Sequence, residues 1–205
     1  MSDSVRAVAE ALYSSGCLKF GRFKIKSGAT SPYYVDLAML LSEPKNLCDI
    51  ADLAANEIQR IRSGEHVDKL ATVELKGAFV LPSIGCRVNL PCVVVRKEDK
   101  AYGVTGRTAG AEVISGENIL FFDDVISEGL SKLEAIKPLE ELGAKVAHVL
   151  VVVDREQGGA ENLEKLGYRV HALARISKMV ESLSATGCVP REQMESVLNY
   201  IDKKP

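Results

Sequence analysis

The sequence predicts an α/β fold in which a mostly parallel sheet carries helices on both faces. Apolar segments of strand length alternate along the chain with amphipathic segments of helical length. Some of the strand segments, such as residues 146–153, are predominantly apolar, which is typical of strands buried on both faces. The 205 residues are enough for one domain with its own core, so we expect a single domain over residues 1–205.

The amino-terminal part of the chain contains the clearest helix signal. An apolar stripe between Pro44 and Gly64 predicts a long helix, with Ser42 as its N-cap. Residues 5–13 also have apolar positions at helical spacing. Residues 20–34 mix Phe, Ile and Tyr with Gly and Pro, which indicates short strands and a loop.

The rest of the chain alternates strand and helix signals. Strands are predicted at residues 70–75, 92–95, 118–122, 146–153 and 170–176. Helices are predicted at residues 78–88, 131–142, 161–166 and 193–201, although Pro82 weakens the first of them. Two polar segments, residues 96–116 and 123–131, do not fit as plain connections. Because ligands of parallel sheets bind beyond the carboxyl ends of strands, we expect function there.

Composition and charge argue against several functional classes. The net charge of −2 is not that of a general nucleic-acid binder. No apolar run approaches the roughly 20 residues that a membrane span needs, and no signal peptide is evident. The five cysteines are scattered and never spaced Cys-x-x-Cys, which predicts small, mostly buried residues in a reducing, cytoplasmic compartment. We therefore expect neither a nucleic acid nor a membrane as partner.

The strongest chemical signal is an apolar strand that runs directly into two carboxylates. Residues 118–122 precede Asp123 and Asp124, and residues 127–131 form a Ser- and Gly-containing loop before the next helix. Backbone N–H groups at such a loop bind phosphate well. Adjacent carboxylates at a strand end can hold sugar hydroxyls or magnesium-bound water. Two aspartates alone would more often be a solvated strand end, but the whole context favours a binding site.

This segment resembles the phosphoribosyl-diphosphate (PRPP) motif of the type I phosphoribosyltransferases. Three further segments narrow the resemblance to the orotate phosphoribosyltransferases, because they occur in that family's order and spacing. They are residues 20–28 with 31–34, residues 96–103 and residues 153–159. The resemblance implies a Rossmann-like, mostly parallel sheet with helices on both faces. It also implies a small hood, to which about residues 1–40 and the carboxyl-terminal end contribute.

The resemblance implies a cytoplasmic glycosyltransferase of pyrimidine biosynthesis, which converts orotate and PRPP to orotidine 5′-monophosphate and diphosphate. Mg²⁺ is the implied cofactor, and it would be held mainly by PRPP and water near Asp123 and Asp124 rather than by a protein metal site. A homodimer with shared active sites is also implied, because the family's mobile loop closes across the dimer interface.

The resemblance also assigns roles to matched residues. The catalytic positions of the family are matched by Lys26, Lys76, Lys97, Lys100, Asp123 and Asp124. Its substrate-binding positions are matched by Tyr34, Val35, Arg96, Tyr102, Val125, Ile126, Ser127, Glu128, Gly129, Leu130, Ser131 and Arg155. Negative charge grows on the departing diphosphate, so cations held near it stabilise the transition state more than the ground state.

Three residues depart from the family pattern and leave a second function open. The mobile loop usually has His where Tyr102 stands, and the phosphate loop usually has a small residue in place of Glu128 and Thr or Gly in place of Leu130. A carboxylate about 4 Å from a phosphate repels it by roughly 4 kcal/mol at an effective dielectric near 20. The alternative is a non-catalytic or weakly active paralogue that binds PRPP or a nucleotide and regulates a partner.

Overall fold

A six-stranded sheet lies at the centre of the computed structural model, which describes residues 3–25, 28–100 and 106–203, without the side chains of residues 99 and 100. The strands in chain order are β1 (Leu18–Lys24), β2 (Thr30–Val35), β3 (Lys69–Val73), β4 (Cys92–Lys100), β5 (Gly106–Gly110), β6 (Asn118–Ile126), β7 (Lys145–Asp154) and β8 (Arg169–Arg175). The helices are α1 (Asp3–Ser14), α2 (Pro44–Arg62), α3 (Lys76–Val88), α4 (Leu130–Glu141), α5 (Gly159–Lys165), α6 (Ile176–Ala185) and α7 (Arg191–Asp202), with a 3₁₀ helix at Leu37–Ser42.

The strand order of the central sheet is β5-β4-β3-β6-β7-β8. All neighbouring pairs from β4 to β8 run parallel, and β5 pairs antiparallel with β4. The predicted mostly parallel sheet is therefore confirmed. Because β4 lies on one side of β3 and β6 on the other, the order reverses between β3 and β6. Ligands of open α/β sheets bind at such a point, beyond the carboxyl ends of the strands.

Two hydrophobic clusters lie on the two faces of the sheet. Alternate residues of β6 belong to different clusters: Leu120 and Phe122 to one, and Ile119 and Phe121 to the other. Since successive strand residues point to opposite faces, helices α1, α2, α3 and α6 cover the first face and α4 and α5 the second. The prediction of helices on both faces is thus confirmed. No helix in the described parts of the chain is long and apolar enough to cross a membrane.

A separate hairpin of β1 and β2 packs beside the central sheet. The two strands pair antiparallel, with Leu18 opposite Val35 and Lys24 opposite Thr30. Tyr33 of this hairpin is fully buried, and its ring meets the ring of Tyr200 in α7 edge-on at 6.1 Å. The amino-terminal hairpin and the last helix are therefore in direct contact.

The start of α2 differs from the prediction that Ser42 is its N-cap. Ser42 is instead the last residue of the 3₁₀ helix, and α2 begins at Pro44 with Glu43 as an N-cap that makes no side-chain hydrogen bond. The capping aspartate lies earlier, because Asp36 Oδ1 accepts the N–H of Ala38 at 3.2 Å and so starts the 3₁₀ helix.

Residues 96–116, a polar segment beginning after the predicted strand at residues 92–95, contain strand structure in the part that the structure describes. Strand β4 continues to Lys100, and β5 pairs with it antiparallel, with Val95 opposite Thr108 and Val93 opposite Gly110. Backbone pairing of this kind does not depend on apolar side chains, which is why the polar sequence concealed it. A side chain at Gly110 would also overlap the carbonyl of Cys92, so glycine permits the close pairing.

The end of β6 and the presence of α6 also differ from the sequence prediction. Strand β6 continues through Asp123 and Asp124 to Ile126, so both aspartates lie within the strand rather than beyond it. Helix α6 was not predicted at all, although its buried residues Ile176, Met179, Val180 and Leu183 follow helical spacing.

Candidate active site

The two adjacent aspartates of β6 are buried at the carboxyl edge of the sheet. Asp123 is 3% exposed and Asp124 is 8% exposed. Asp123 Oδ2 forms an ion pair with Lys132 Nζ of α4, whose side chain is buried as well. Each aspartate also accepts the next backbone N–H, Asp123 Oδ1 from Asp124 at 2.9 Å and Asp124 Oδ1 from Val125 at 2.8 Å. Both carboxylates are thus held in fixed positions.

Burial and the neighbouring charge make Asp124 unusual. Loss of solvent around its carboxyl group, together with the negative charge of Asp123, raises the pKa of Asp124 to about 6. The positive charges of Lys132 and Lys76 and the N–H of Val125 work in the opposite direction and limit the rise in this pKa. Asp124 therefore changes its charge within the range in which enzymes usually work.

Lys76 is the first residue of α3, directly after β3, and it faces the aspartates across the point where the strand order reverses. Its Nζ lies 3.1 Å from Asp36 Oδ1 and 5.6 Å from the centre of the Tyr34 ring. Burial works to lower the pKa of Lys76, but the hydrogen bond and charge of Asp36 and the charge of Asp124 raise it overall. Lys76 is therefore a cation at neutral pH, close to Asp124.

The start of α3 can approach the aspartates only because residue 77 is glycine. A Cβ at Gly77 would overlap Thr72 Oγ1 of β3 and would lie 3.0 Å from Asp123 Oδ1 of β6. Such contacts are closer than packed side chains tolerate, so the absence of a side chain brings Lys76 against the sheet edge.

Residues 127–131 form the loop between β6 and α4. Gly129 has φ of 89°, a left-handed conformation that favours glycine, and it precedes α4 as an N-cap without a side-chain hydrogen bond. The loop is fixed from behind, because Ser127 O accepts the N–H of Gly159 at 2.8 Å. The side chains of Glu128 and Leu130 are exposed to solvent. The first turn of α4 is thus an uncapped helix start, which is suited to an anion.

Arg155 connects the amino-terminal hairpin to this loop. It follows β7 directly, its Nε donates to the hydroxyl of Tyr33 at 3.1 Å, and its NH1 donates to Ser127 Oγ at 3.4 Å. Burial of the Tyr33 side chain raises the pKa of its hydroxyl, which stays protonated. The turn around Arg155 is fixed because Asp154 Oδ1 accepts the N–H of Glu156 at 2.8 Å. The guanidinium therefore lies between hairpin and loop.

The basic segment on β4 is tied to the same edge of the sheet. Glu74 Oε1 accepts the backbone N–H of Lys97 at 2.7 Å, and Glu74 lies two residues before Lys76. Arg96 NH1 donates to the carbonyl of Gly106 at 2.8 Å, while the side chain of Lys97 is exposed. Lys26 and Tyr102 lie outside the described residues, as does the side chain of Lys100.

The structure brings seven of the described candidate residues to one edge of the sheet. Side chains or backbone groups gather there from Tyr34, Lys76, Asp123, Asp124, Ser127, Gly129 and Arg155. Val35 and Ile126 are buried in the core and Val125 is partly buried, so Val35 and Ile126 can meet a ligand only through their backbones. Ser131, in the first turn of α4, is exposed.

Sequence reasoning missed the residues that hold the candidates in place. Tyr33 positions Arg155, Asp36 holds Lys76, and Lys132 holds Asp123. Only Lys132 had a visible signal, because it lies at helical spacing with the buried Ala135, Ile136 and Leu139 of α4. The other two contacts join residues that are far apart in the chain.

Comparison with known proteins shows to which family this chain is similar. Residues 36–175 match the phosphoribosyl transferase domain. The chain is 36% identical over 171 residues to an orotate phosphoribosyltransferase of Pyrococcus abyssi, covering 83% of this chain and 92% of that protein. The structure of orotate phosphoribosyltransferase from Aeropyrum pernix superposes with a TM-score of 0.75 at 26% identity, covering 87% of this chain and 98% of that one.

A longer protein contains a similar unit. The structure of Leishmania donovani UMP synthase superposes with a TM-score of 0.87 at 29% identity. The match covers 98% of this chain but only 43% of that protein. This chain therefore corresponds to less than half of the Leishmania protein.

Proposed function

Because this chain belongs to the phosphoribosyltransferase family and, within it, to the orotate phosphoribosyltransferases, we propose that it transfers the ribose 5-phosphate of PRPP to orotate. The products are orotidine 5′-monophosphate and diphosphate, so the enzyme is a pentosyltransferase of pyrimidine biosynthesis. The observation that carries this proposal is the meeting of Lys76, Asp124 and the uncapped start of α4 where the strand order reverses.

Cations at the sheet edge support departure of the diphosphate. In the reaction the bond from C1 of the ribose to diphosphate oxygen breaks, and a ring nitrogen of orotate forms the new bond to C1. Lys76 is a cation at neutral pH and is held by Asp36. We assign it to the leaving diphosphate, where its charge stabilises the transition state more than bound PRPP. Lys26, Lys97 and Lys100 are proposed to join it.

The aspartates and the loop are proposed to hold the sugar phosphate. Asp123 and Asp124 offer buried carboxylates to the ribose hydroxyls and to the positive charge that develops on the ring. Residues 127–131 offer backbone N–H groups at the start of α4 to the 5′-phosphate.

Arg155, Tyr34 and the backbone of Val35 are proposed to bind orotate. The Arg155 guanidinium suits the carboxylate of that base, because arginine binds carboxylates with two parallel hydrogen bonds. Val125, Ile126, Arg96 and Tyr102 complete the proposed substrate-binding set.

The residues at this site fit an Mg²⁺ ion that is bound mainly by PRPP and water. No group of three or more His, Cys, Asp or Glu side chains converges on a metal position in the described parts of the chain. Mg²⁺ keeps several waters and often binds through substrate phosphates, so neither aspartate needs to bind it directly. When bound, it would neutralise charge on the diphosphate, while Asp123 and Asp124 would face its water shell.

We also propose a cytoplasmic homodimer with shared active sites, in which β1, β2 and α7 form part of the hood. Two features support this. The exposed Lys97 side chain on β4 is available to a second copy. The cysteines of the described chain are free thiols, although Cys48, Cys86 and Cys188 are exposed and not buried as predicted. Sedimentation of the purified protein should show a dimer.

The alternative of a regulatory paralogue is not favoured. Two relatives that match 83% and 95% of this chain are named orotate phosphoribosyltransferases. The residues that motivated the alternative within the described loop, Glu128 and Leu130, have solvent-exposed side chains.

The proposal is tested by turnover with a panel of bases. Purified protein is mixed with PRPP, Mg²⁺ and one of orotate, uracil or hypoxanthine, and loss of the base is followed by absorbance and chromatography. We expect a nucleotide product with orotate alone. Turnover of hypoxanthine or uracil in preference to orotate, or PRPP binding without turnover of any base, would overturn the proposal.

A further inference from the structure

Lys132 is a buried lysine next to the candidate catalytic carboxylates. It is 6% exposed, lies in the first turn of α4, and forms an ion pair with Asp123 Oδ2. Its position belongs to the core-facing side of the helix, which it shares with Ala135, Ile136 and Leu139. Lysine is almost never buried to this extent unless it is paired.

General stability does not explain such a pair. Taking two charges out of water costs free energy that their attraction often fails to recover, and apolar residues of similar volume are frequently as stable. An apolar side chain would also fit at position 132, because its neighbours on the same helix face, Ala135, Ile136 and Leu139, pack in the hydrophobic core. The lysine therefore has its use in the charge that it brings to the sheet edge.

The ion pair gives the two aspartates different tasks. Asp123 uses Oδ1 for the N–H of Asp124 and Oδ2 for Lys132, so both of its oxygens are engaged. Asp124 uses Oδ1 for the N–H of Val125, and no donor in the described parts of the chain reaches its Oδ2. Asp124 is thus the aspartate with an oxygen that has no protein donor within the described residues, whereas a ligand at Asp123 would share its oxygens with Lys132 and the N–H of Asp124.

Charge near Asp124 comes from three elements. Asp123 of β6 is the negative neighbour, Lys132 of α4 is one positive neighbour, and Lys76 of α3 is the other. Lys76 is shared with Asp36, which lies 3.1 Å from its Nζ. Without Lys132, that shared lysine would be the one cation named beside the two buried carboxylates within the described residues.

We propose that Lys132 is a positioning residue, which fixes Asp123 and supplies the positive charge that lets Asp124 remain ionised beside it at neutral pH. The proposal rests on the proposed function, because it assumes that Asp124 faces the ribose of PRPP. Lys132 itself touches neither substrate nor metal in this scheme.

The test compares Lys132→Met with Lys132→Arg over the pH profile of kcat/KM for PRPP. In the unchanged protein we expect activity to fall on the acid side of about pH 6, with Asp124. A nearby opposite charge shifts a carboxylate by about 1–3 pH units, so Lys132→Met should move this acid limb upward by about 1 unit or more. Lys132→Arg keeps the charge and should leave the limb in place.

A purely structural role gives a different result. If Lys132→Met lowers kcat/KM by the same factor at every pH and leaves the acid limb unmoved, the proposal is overturned. Should Lys132→Met fail to fold, Lys132→Gln takes its place, because it retains a hydrogen-bond donor for Asp123 without the charge and must move the limb likewise.

A second readout does not depend on activity. Carboxyl ¹³C NMR of aspartate-labelled protein without substrate follows the ionisation of Asp124 directly. An upward move of its midpoint in Lys132→Gln, but not in Lys132→Arg, supports the role of Lys132 even if orotate is not turned over. An unmoved midpoint refutes the role even in an active enzyme.

Discussion

Changing Asp124 to Asn should stabilise the folded protein, whereas changing Asp123 to Asn should destabilise it. Burial and the charge of Asp123 raise the pKa of Asp124 from 3.8 to about 6, a difference of about 2.2 pH units. At 1.36 kcal/mol per unit, ionised Asp124 costs the folded protein about 3 kcal/mol. Asn retains an oxygen for the N–H of Val125, so Asp124→Asn should stabilise the protein by up to that amount near pH 7.

The sign of the pH dependence follows from the raised pKa. The folded protein keeps the Asp124 proton to higher pH than the unfolded chain does, so stability falls as pH rises from about 4 to about 6. The advantage of Asp124→Asn should therefore be complete near pH 7 and vanish near pH 4. By contrast, Asp123→Asn leaves Lys132 buried without its carboxylate and should cost about 3–5 kcal/mol at neutral pH.

Urea unfolding followed by far-UV circular dichroism measures both variants, since the chain contains no tryptophan. Each variant is compared with the unchanged protein near pH 4 and near pH 7. The reasoning is refuted if Asp124→Asn destabilises the protein at neutral pH as Asp123→Asn does, or if its gain in stability persists unchanged at acid pH.

Three further substitutions test other parts of the site. Glu128→Ala removes an exposed carboxylate and should change the calorimetric affinity for PRPP by less than about threefold. Gly77→Ala places a Cβ against Thr72 Oγ1 and should cost about 1–3 kcal/mol in urea unfolding, with loss of turnover. Tyr33→Phe removes the acceptor of Arg155 Nε, which should cost about 1 kcal/mol of binding and so raise KM for orotate severalfold with little change in kcat.

One of these substitutions has a matched control, and each of the other two has an outcome that would contradict it. Gly64→Ala is the match for Gly77→Ala, because its Cβ would lie no closer than 4.0 Å to any neighbour, and it should be neutral. An increase of PRPP affinity by orders of magnitude in Glu128→Ala would mean that this carboxylate does face the phosphate. An unchanged KM for orotate in Tyr33→Phe would remove Arg155 from the orotate site.

Much of the fold could be predicted because its signals are local. The predominantly apolar residues 146–153 predicted a strand buried on both faces of the sheet, and the corresponding strand β7 is buried over most of its length. Strand β5 gave no such signal, since Gly106–Gly110 is held by backbone pairing to β4 at the edge of the sheet. Its formation depends on a neighbouring strand and not on its own side chains.

The candidate site likewise has a part that the sequence could predict and a part that it could not. The approach of Asp123, Asp124 and the following loop is local, because strand, carboxylates and helix start are consecutive in the chain. The partners of these residues come from distant segments, as Asp36 does for Lys76. Such pairs arise only when the sheet has formed, so spacing along the chain does not reveal them.

The most direct measurement of the proposed site is formation of orotidine 5′-monophosphate by the unchanged protein and by Lys76→Met. The matched control is Lys137→Met, which removes an exposed lysine from α4. We expect turnover in the unchanged protein and the control, and a loss of about 10²–10³-fold in kcat for Lys76→Met, because its charge acts on the departing diphosphate. Equal turnover in Lys76→Met and Lys137→Met would contradict a site built around Lys76.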